Sequence, residues 1–270
     1  LPLTLLILFN FESKFILRIS GLPKLNFFRK YLWKIAFKKI YCVTCPTEST
    51  KNYIQSLGII EPNKLKLLND PIINVSEYSL NKISLDAKFK FKKNDYYLSI
   101  GRLTKQKNFL FLCQCFKEIV KKNSNEKLLI AGEGEDFKRI NDFIKKNNLE
   151  NNIFLIGYIK NIYKYFHHSK GFILSSLWED PGFVLIEAGM AKTFILSSDC
   201  PNGPKDLIND NVNGILFETN NMKSFVEKFE FFSKLDKKIN RDLLLNNLKL
   251  SRKFTLFNHY KSLENILAYK

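Results

Sequence analysis

The chain has 270 residues, of which 45% are hydrophobic, so it can bury a sizeable core in one or two domains. It carries 43 Lys and Arg against 26 Asp and Glu, a formal net charge of +17. The excess is mostly Lys, scattered through every region, whereas a nucleic-acid-binding protein typically concentrates it in one stripe or motif. We therefore expect no nucleic-acid partner. Compositional drift towards Lys accounts for the charge, and attraction to an anionic bilayer is the functional alternative.

The first predicted domain covers residues 1–78. Its apolar opening, residues 1–9, is far shorter than the ~20 residues that a membrane span requires, and it lacks the charged leader of a signal peptide. We expect a cytoplasmic protein, peripheral at most at the inner face of the cell membrane. The predicted elements are strands over 15–20, 40–45 and 64–68 and helices over 27–38 and 47–57.

A Lys-rich linker is predicted over 79–94, and a second domain over 95–253. Strands and helices alternate in this domain, a pattern typical of a parallel sheet covered on both faces. The predicted strands are 96–100, 127–131, 153–156, 171–174 and 193–197. Residues 254–270 predict a final helix.

A basic loop, G-R-L-T-K-Q-K-N at 101–108, joins the first of these strands to a helix predicted over 109–120. Arg102 offers a planar fork that matches phosphate oxygens, and Lys107 adds a point charge from the same loop. The pattern therefore indicates a phosphate site, although a basic loop alone is common in a Lys-rich protein.

Two carboxylates, Glu179 and Glu187, lie eight positions apart in W-E-D-P-G-F-V-L-I-E-A-G-M-A at 178–191. Pro181 suits a first helical turn, which places Glu187 inside a helix and Glu179 in the loop before it. Free amides at a helix N-terminus favour anions, so this segment could bind a phosphorylated sugar. The alternative is an exposed loop acid and a solvated helical acid.

Taken together, these segments resemble the retaining glycosyltransferases of family 4, also called group 1, over roughly residues 16–217. That family has the GT-B architecture of two Rossmann-like α/β domains with parallel sheets. Further matching motifs are P-T-E-S at 46–49, L-N-D-P at 68–71, I-A-G-E-G at 130–134, L-I-G-Y at 155–158, N-G-P-K-D at 202–206 and N-G at 213–214.

The resemblance implies a role for each residue of the two segments. Arg102 and Lys107, beside Gly101, would hold the diphosphate of a nucleotide-sugar donor and stabilise the leaving group. Glu179 would bind hydroxyls of the transferred sugar, and Glu187 the ribose hydroxyls. The loop at Gly182 and the backbone amides of Phe183 and Val184 would complete the phosphate site. Residues 157–160 would contact the base through backbone groups.

The implied activity is retaining transfer of a sugar, from a UDP-sugar in our interpretation, to a hydroxyl of a bacterial surface glycan or lipid-linked acceptor. The resemblance implies no metal and no other cofactor. It also implies that the amino-terminal domain is incomplete, since the strand at 15–20 matches the latter part of that domain. A catalytically incomplete nucleotide-sugar-binding fragment is therefore one alternative, and a basic nucleic-acid or membrane-binding module is another.

The five cysteines predict structural thiols rather than a redox or metal site. Cys42 and Cys45 form a C-x-x-C, but in a strand they point to opposite faces. Cys113 and Cys115, two apart in a helix, do not face each other either. The G-x-G at Gly132 and Gly134 is interpreted as a tight turn.

Overall fold

The computed structural model of the chain describes residues 13–83, 91–236, 238 and 240–268. The apolar opening at 1–9 and the centre of the predicted linker, 84–90, lie outside them. The chain divides into two compact units: residues 1–71 together with 257–270, and residues 72–256. The sequence instead predicts boundaries at 78 and 254, a few residues away. Within the described residues, no helix is long and apolar enough to cross a membrane.

The first unit contains a parallel three-stranded sheet in the order β1-β2-β3. Each predicted element of this region is present, with ends shifted by one or two residues. The elements are β1 (Ile16–Arg18), α1 (Phe27–Lys39), β2 (Cys42–Cys45), α2 (Glu48–Ser56) and β3 (Leu65–Leu67).

Side-chain caps define where these helices begin. Asn26 accepts a hydrogen bond from the amide of Arg29, and Thr47 accepts one from the amide of Thr50. Thr47, predicted as the first helical residue, is therefore the N-cap of α2.

The helix α3 (Val75–Ile83) crosses the predicted boundary at 78 and occupies the start of the predicted linker. Asn74 begins it by accepting hydrogen bonds from the amides of Ser76 and Glu77 at 3.1 and 3.3 Å. The sequence interpretation missed this cap, and it therefore placed the boundary inside the helix.

The second unit contains a parallel six-stranded sheet in the order β6-β5-β4-β7-β8-β9. Its elements after α3 are β4 (Tyr97–Ile100), α4 (Phe109–Lys122), β5 (Leu128–Ala131), α5 (Phe137–Lys146), β6 (Ile153–Gly157), α6 (Ile162–His168), β7 (Gly171–Leu174), α7 (Val184–Met190), β8 (Ile195–Ser198), α8 (Pro204–Leu207), β9 (Ile215–Phe217), α9 (Met222–Phe232) and α10 (Arg241–Arg252). The final helix, α11 (Leu256–Ala268), belongs to the first unit from Phe257 onwards. The short strand β9 is not predicted, because its three residues, which follow the turn at Asn213 and Gly214, are too few to show a strand pattern.

Apolar side chains cover both faces of this sheet. Alternate residues of β4 point to opposite sides, so Tyr97 joins one buried cluster with α4 and α9, and Leu98 joins the other with α6 and α7. A sheet covered on both faces leaves its strand ends as the places where polar loops meet.

Candidate functional site

The predicted site residues lie where the strand order reverses. From β4 the chain passes to β5 and β6 on one side, and then returns to β7, β8 and β9 on the other. The loops after β4, β7 and β8 therefore meet at one carboxyl edge of the sheet. Ligands of open parallel sheets bind at such a switch point.

The loop after β4 begins with close contacts between backbones. A Cβ atom on Gly132 would collide with the carbonyl of Gly101, and one on Gly134 with the carbonyl of Leu103. The amide of Leu103 donates to the carbonyl of Glu133 at 2.8 Å. The two glycines are thus required by this close approach, which is more specific than the tight turn that the sequence suggests.

Lys107 and Glu179 form an ion pair within this edge. The Lys107 Nζ atom lies 2.7 Å from Oε1 and 2.9 Å from Oε2 of Glu179. The side chains are 14% and 3% exposed, respectively, so the pair is shielded from water. Gly101 lies beside it, since a Cβ there would stand 3.2 Å from the Lys107 stem.

The Glu179 carboxylate also accepts a hydrogen bond from a serine. Ser176 Oγ donates to Oε1 of Glu179 at 2.5 Å, and the Ser176 carbonyl accepts from Ser198 Oγ at 2.7 Å. The sequence interpretation gives neither serine a role. The spacing of Ser176, three residues before Glu179 at the end of β7, is the signal that could have indicated one.

The loop after β8 holds the backbone of Glu179. Asn202 Nδ2 donates to the Glu179 carbonyl at 3.1 Å, and the Glu179 amide donates to Pro201 at 3.2 Å. A Cβ on Gly203 would lie 2.9 Å from Glu179 Cβ and would collide with the Pro181 carbonyl. The N-G motif at 202–203 therefore positions Glu179.

The alternative of an exposed loop acid is wrong for Glu179. The structure also pairs Lys107, assigned to the diphosphate, directly with Glu179, assigned to the sugar, and the two assignments stay predictions. By contrast, Arg102 is exposed, and its guanidinium makes no hydrogen bond or ion pair with any described residue. Its fork is available to a ligand.

The helix after the Pro-Gly turn begins later than predicted. Phe183 is the N-cap of α7, so Pro181, which follows a cis peptide bond, precedes the helix instead of lying in its first turn. Gly182 has φ +80°, a value that favours glycine. Among the described residues, the amides of Gly182, Phe183 and Val184 have no hydrogen-bond partner, which leaves donors for an anion.

Glu187 lies in the first turn of α7, as the sequence predicts, and is half-buried. Burial raises its pKa to about 7. Its charge also raises the pKa of Tyr163 on α6, a smaller effect than the burial of that phenol. Its carboxylate has no ion-pair or hydrogen-bond partner among the described residues, and its burial distinguishes it from a simple solvated acid.

The cysteines lie in the core. All five are free and buried, and burial raises the pKa of Cys45 to about 11, which makes it a poor nucleophile. In the part of the chain that the structure describes, no group of three His, Cys, Asp or Glu side chains could hold a metal ion. Metal independence itself stays a prediction.

Comparison with known proteins identifies the family. The sequence matches glycosyl transferases group 1 over residues 82–244, more than half of the chain. An uncharacterized glycosyltransferase from Methanocaldococcus jannaschii is 32% identical over 206 residues, which are 73% of this chain and 51% of that protein. The chain therefore belongs to the group 1 glycosyltransferases.

A second relative carries a more specific name. The N-acetylgalactosamine-N,N'-diacetylbacillosaminyl-diphospho-undecaprenol 4-alpha-N-acetylgalactosaminyltransferase of Campylobacter jejuni is 31% identical over 180 residues, 66% of this chain and 47% of that protein. The chain thus spans about half the length of both relatives.

Solved structures agree on the fold. TarM from Staphylococcus aureus, in a complex that contains UDP, superimposes with a TM-score of 0.75 over 94% of this chain and 51% of TarM, at 22% identity. A glycosyltransferase from Rickettsia africae gives 0.77 over 96% of this chain and 72% of that protein, at 18% identity. The predicted GT-B fold class, α/β with parallel sheets, is confirmed.

Proposed function

We propose that the chain forms the donor-binding part of a retaining, family 4 glycosyltransferase that uses a UDP-sugar. The acceptor is a hydroxyl of a surface glycan or of a lipid-linked glycan. The ion pair Lys107–Glu179 at the switch point carries the proposal, because it holds a buried cation beside a carboxylate where a phosphorylated sugar would enter.

Binding of the diphosphate would change the hydrogen bonds that Lys107 and Glu179 make with each other. A phosphate oxygen competes with Glu179 for the Lys107 ammonium, and Arg102 adds a bidentate contact from the same loop. As Lys107 turns towards phosphate, the Glu179 carboxylate, still held by Ser176, gains free lone pairs. Those lone pairs can accept hydrogen bonds from sugar hydroxyls, which couples donor recognition to diphosphate binding.

The unpaired amides of Phe183 and Val184 provide further anion contacts, and Glu187 follows in the same helix for the ribose hydroxyls. During transfer, negative charge develops on the departing diphosphate. Lys107 and Arg102 then act by electrostatic stabilisation, without need of a metal in our proposal.

The printed names of relatives support the acceptor class. The Campylobacter jejuni relative is named for a diphospho-undecaprenol acceptor, and a Staphylococcus aureus relative, 34% identical over 129 residues, is a poly(ribitol-phosphate) alpha-N-acetylglucosaminyltransferase. Both acceptors carry phosphate, which suits a chain of net charge +17. We place the protein in the cytoplasm, peripheral to the inner face of the membrane.

Calorimetric titration with UDP and with UDP-N-acetylglucosamine tests the donor site. Glu179→Gln should weaken binding of the UDP-sugar but not of UDP, whereas Glu187→Gln should weaken both, because ribose is common to them. Glu133→Gln, an exposed acid near the same loop, serves as the control. Equal weakening of both ligands by Glu179→Gln would remove its sugar-binding role.

A further inference from the structure

One region of the first unit combines positive charge with a complete lack of acids. Residues 13–47 contain no Asp or Glu, but they contain Lys14, Arg18, Lys24, Arg29, Lys30, Lys34, Lys38 and Lys39. Residues 96–117, 151–178 and 243–263 also lack acids, but each carries at most four basic residues, so the stretch at 13–47 is both the longest and the most basic of its kind. Most of it folds into β1, α1 and the loop between them.

The outward face of α1 carries large apolar side chains. Phe27 is 88% exposed and Phe28 67% exposed, and Leu22 and Tyr31 are exposed nearby. The inward face packs Phe37 and Trp33 against the core of the first unit. The core therefore does not need the outward aromatics, and together with Lys34 and Lys38 these four residues form what we name the α1 surface.

Aromatic and basic residues share one stripe of this surface. Phe27, Tyr31, Lys34 and Lys38 recur at intervals of four, three and four residues, which places them on one side of a helix. The loop that carries Leu22 is tied down, because Tyr53 on α2 donates to the carbonyl of Pro23 at 2.9 Å. The apolar and basic groups are thus presented by a fixed backbone.

Two grooves beside the second half of α1 extend the positive charge. One, of about 200 Å³, is lined in part by Lys34, Lys38 and Lys64 and by one acid, Glu61. The other, of about 530 Å³, is lined in part by Lys14, Lys39, Lys64 and Lys66 and by no acidic residue. Both grooves have the dimensions and charge to receive anionic head groups.

The topology places the aromatic end of α1 at the functional edge of its sheet. Strands β1 and β2 are parallel, so α1 returns the chain from the carboxyl end of β1 to the amino end of β2. Phe27 and Phe28 therefore lie at the edge where the strands end, the edge at which parallel sheets bind ligands. A bilayer held there would present lipid-linked molecules to that edge.

We propose that the α1 surface docks the protein on an anionic bilayer, with Phe27, Phe28 and Tyr31 in the interface and the lysines against the lipid head groups. Aromatic residues favour the membrane interface, and each basic residue near an anionic leaflet adds attraction. Charge complementarity selects this partner, because the thirty-five residues from 13 to 47 carry eight basic side chains and no acidic one, and these attract anionic lipids. The inference deepens the lipid-linked acceptor class of the proposed function.

Flotation of the full chain with vesicles tests the proposal without donor or acceptor. We expect binding to vesicles that contain phosphatidylglycerol, and little binding to phosphatidylcholine alone. Lys34→Glu combined with Lys38→Glu should lower the partition coefficient by about tenfold or more. The matched control, Lys145→Glu with Lys146→Glu, makes the same change of net charge on the exposed end of α5 and should alter it by less than about twofold.

The aromatic residues are tested in the same way. Phe27→Ser with Phe28→Ser should lower binding to the anionic vesicles by about tenfold, whereas Phe137→Ser with Phe231→Ser, exposed in the second unit, should not. Far-UV circular dichroism checks that all variants fold. Equal losses in the α1 and control variants would overturn the proposal in favour of diffuse attraction.

Sedimentation in the absence of vesicles addresses another occupant. Self-association that disappears in the Phe27→Ser, Phe28→Ser variant would identify a second copy as the partner and overturn the bilayer proposal. Titration of UDP into the same variants separates this inference from the donor site. Unchanged UDP affinity alongside lost flotation would support docking, and loss of both would refute a separate surface.

Discussion

Arg102 and Lys107 come from one loop, but their surroundings give them different physical roles. Arg102 is exposed and unpaired among the described residues, so its replacement removes a ligand contact alone. Lys107 neutralises the charge of the Glu179 carboxylate, which is 3% exposed, so its replacement also lowers the free energy of unfolding. Replacement of Arg102 should therefore leave the stability of the fold unchanged, whereas replacement of Lys107 should lower it.

For Arg102→Ala we expect weaker binding of UDP by about 1.5–3 kcal/mol, the range for a charge-assisted hydrogen bond. The melting temperature should not change. Isothermal calorimetry measures the affinity, and Lys105→Ala, an exposed cation of the same loop, is the matched control. If the Lys105 variant lost as much affinity as the Arg102 variant, loop charge in general would be responsible.

For Lys107→Ala we expect a loss of unfolding free energy of about 3 kcal/mol, because an unpaired carboxylate remains buried. Glu179→Gln in the same chain should recover part of the loss, since it removes the uncompensated charge. Urea denaturation of the two single variants and the double variant measures the coupling. Strictly additive losses would contradict the pairing.

Glu187 predicts pH-dependent binding of the nucleotide. With a pKa of about 7, its carboxyl is protonated in acid and loses one of the acceptor positions that ribose hydroxyls need. UDP affinity should therefore rise as the pH passes through 7, and Glu187→Gln should remove this rise. Titration of the UDP phosphates affects the unmodified chain and the Glu187→Gln variant equally, so the difference between their pH profiles of affinity reports on Glu187 alone.

The same shift has an opposite sign for the stability of the ligand-free chain. The folded pKa lies above the ordinary value of 4.5, so the folded state holds the proton more tightly. The resulting stabilisation is complete below pH 4.5 and is lost as the pH rises through 7. A buried carboxyl that has no partner and destabilises the fold at neutral pH is typical of a binding residue rather than of a structural one.

At the scale of elements, the close approach of two loops sets the position of the basic loop. Gly132 and Gly134 let the loop after β5 contact the backbone of residues 101–103. The loop after β4 cannot move away without losing the hydrogen bond between Leu103 and Glu133. The glycines therefore act on the proposed nucleotide site indirectly, through the position of Arg102.

Gly132→Ala should lower the free energy of unfolding by about 3 kcal/mol, because the new methyl group collides with the Gly101 carbonyl and φ is +137°. The control is Gly157→Ala, which has φ +69° but open space around it, so it should cost about 1 kcal/mol from backbone strain alone. Chemical denaturation compares the two. Equal losses would indicate that only the backbone conformation matters.

At the scale of the whole molecule, the net charge of +17 creates a general attraction for anions. A specific donor site and diffuse basic binding differ in stoichiometry and in their response to salt. We expect UDP to saturate one-to-one with a shallow salt dependence, whereas association with a polyanion such as heparin should weaken steeply with salt. Calorimetry at two salt concentrations measures both, and a steep salt dependence for UDP would favour the basic-module alternative.

The order and type of most elements can be predicted from the sequence, and so can the residues proposed for the candidate site. Hydrophobic runs of strand length, separated by helical periodicity, predict the parallel sheets because each pattern buries a face only in its own geometry. The same local patterns place Glu187 in a helix and Glu179 in the preceding loop. The local signal missed at α3 is the cap Asn74, which begins a helix that continues across the predicted boundary at 78.

Which of these residues contact one another depends on the tertiary structure. Lys107 and Glu179 are 72 positions apart, and their pairing depends on the neighbouring positions of β4 and β7 in the sheet. The requirement for Gly132 and Gly203 likewise arises from backbones that are distant in sequence. Exposure of Phe27 and Phe28 depends on which face of α1 packs inward. Sequence patterns encode local conformation, whereas contacts, burial and pKa shifts arise from the packing of distant segments.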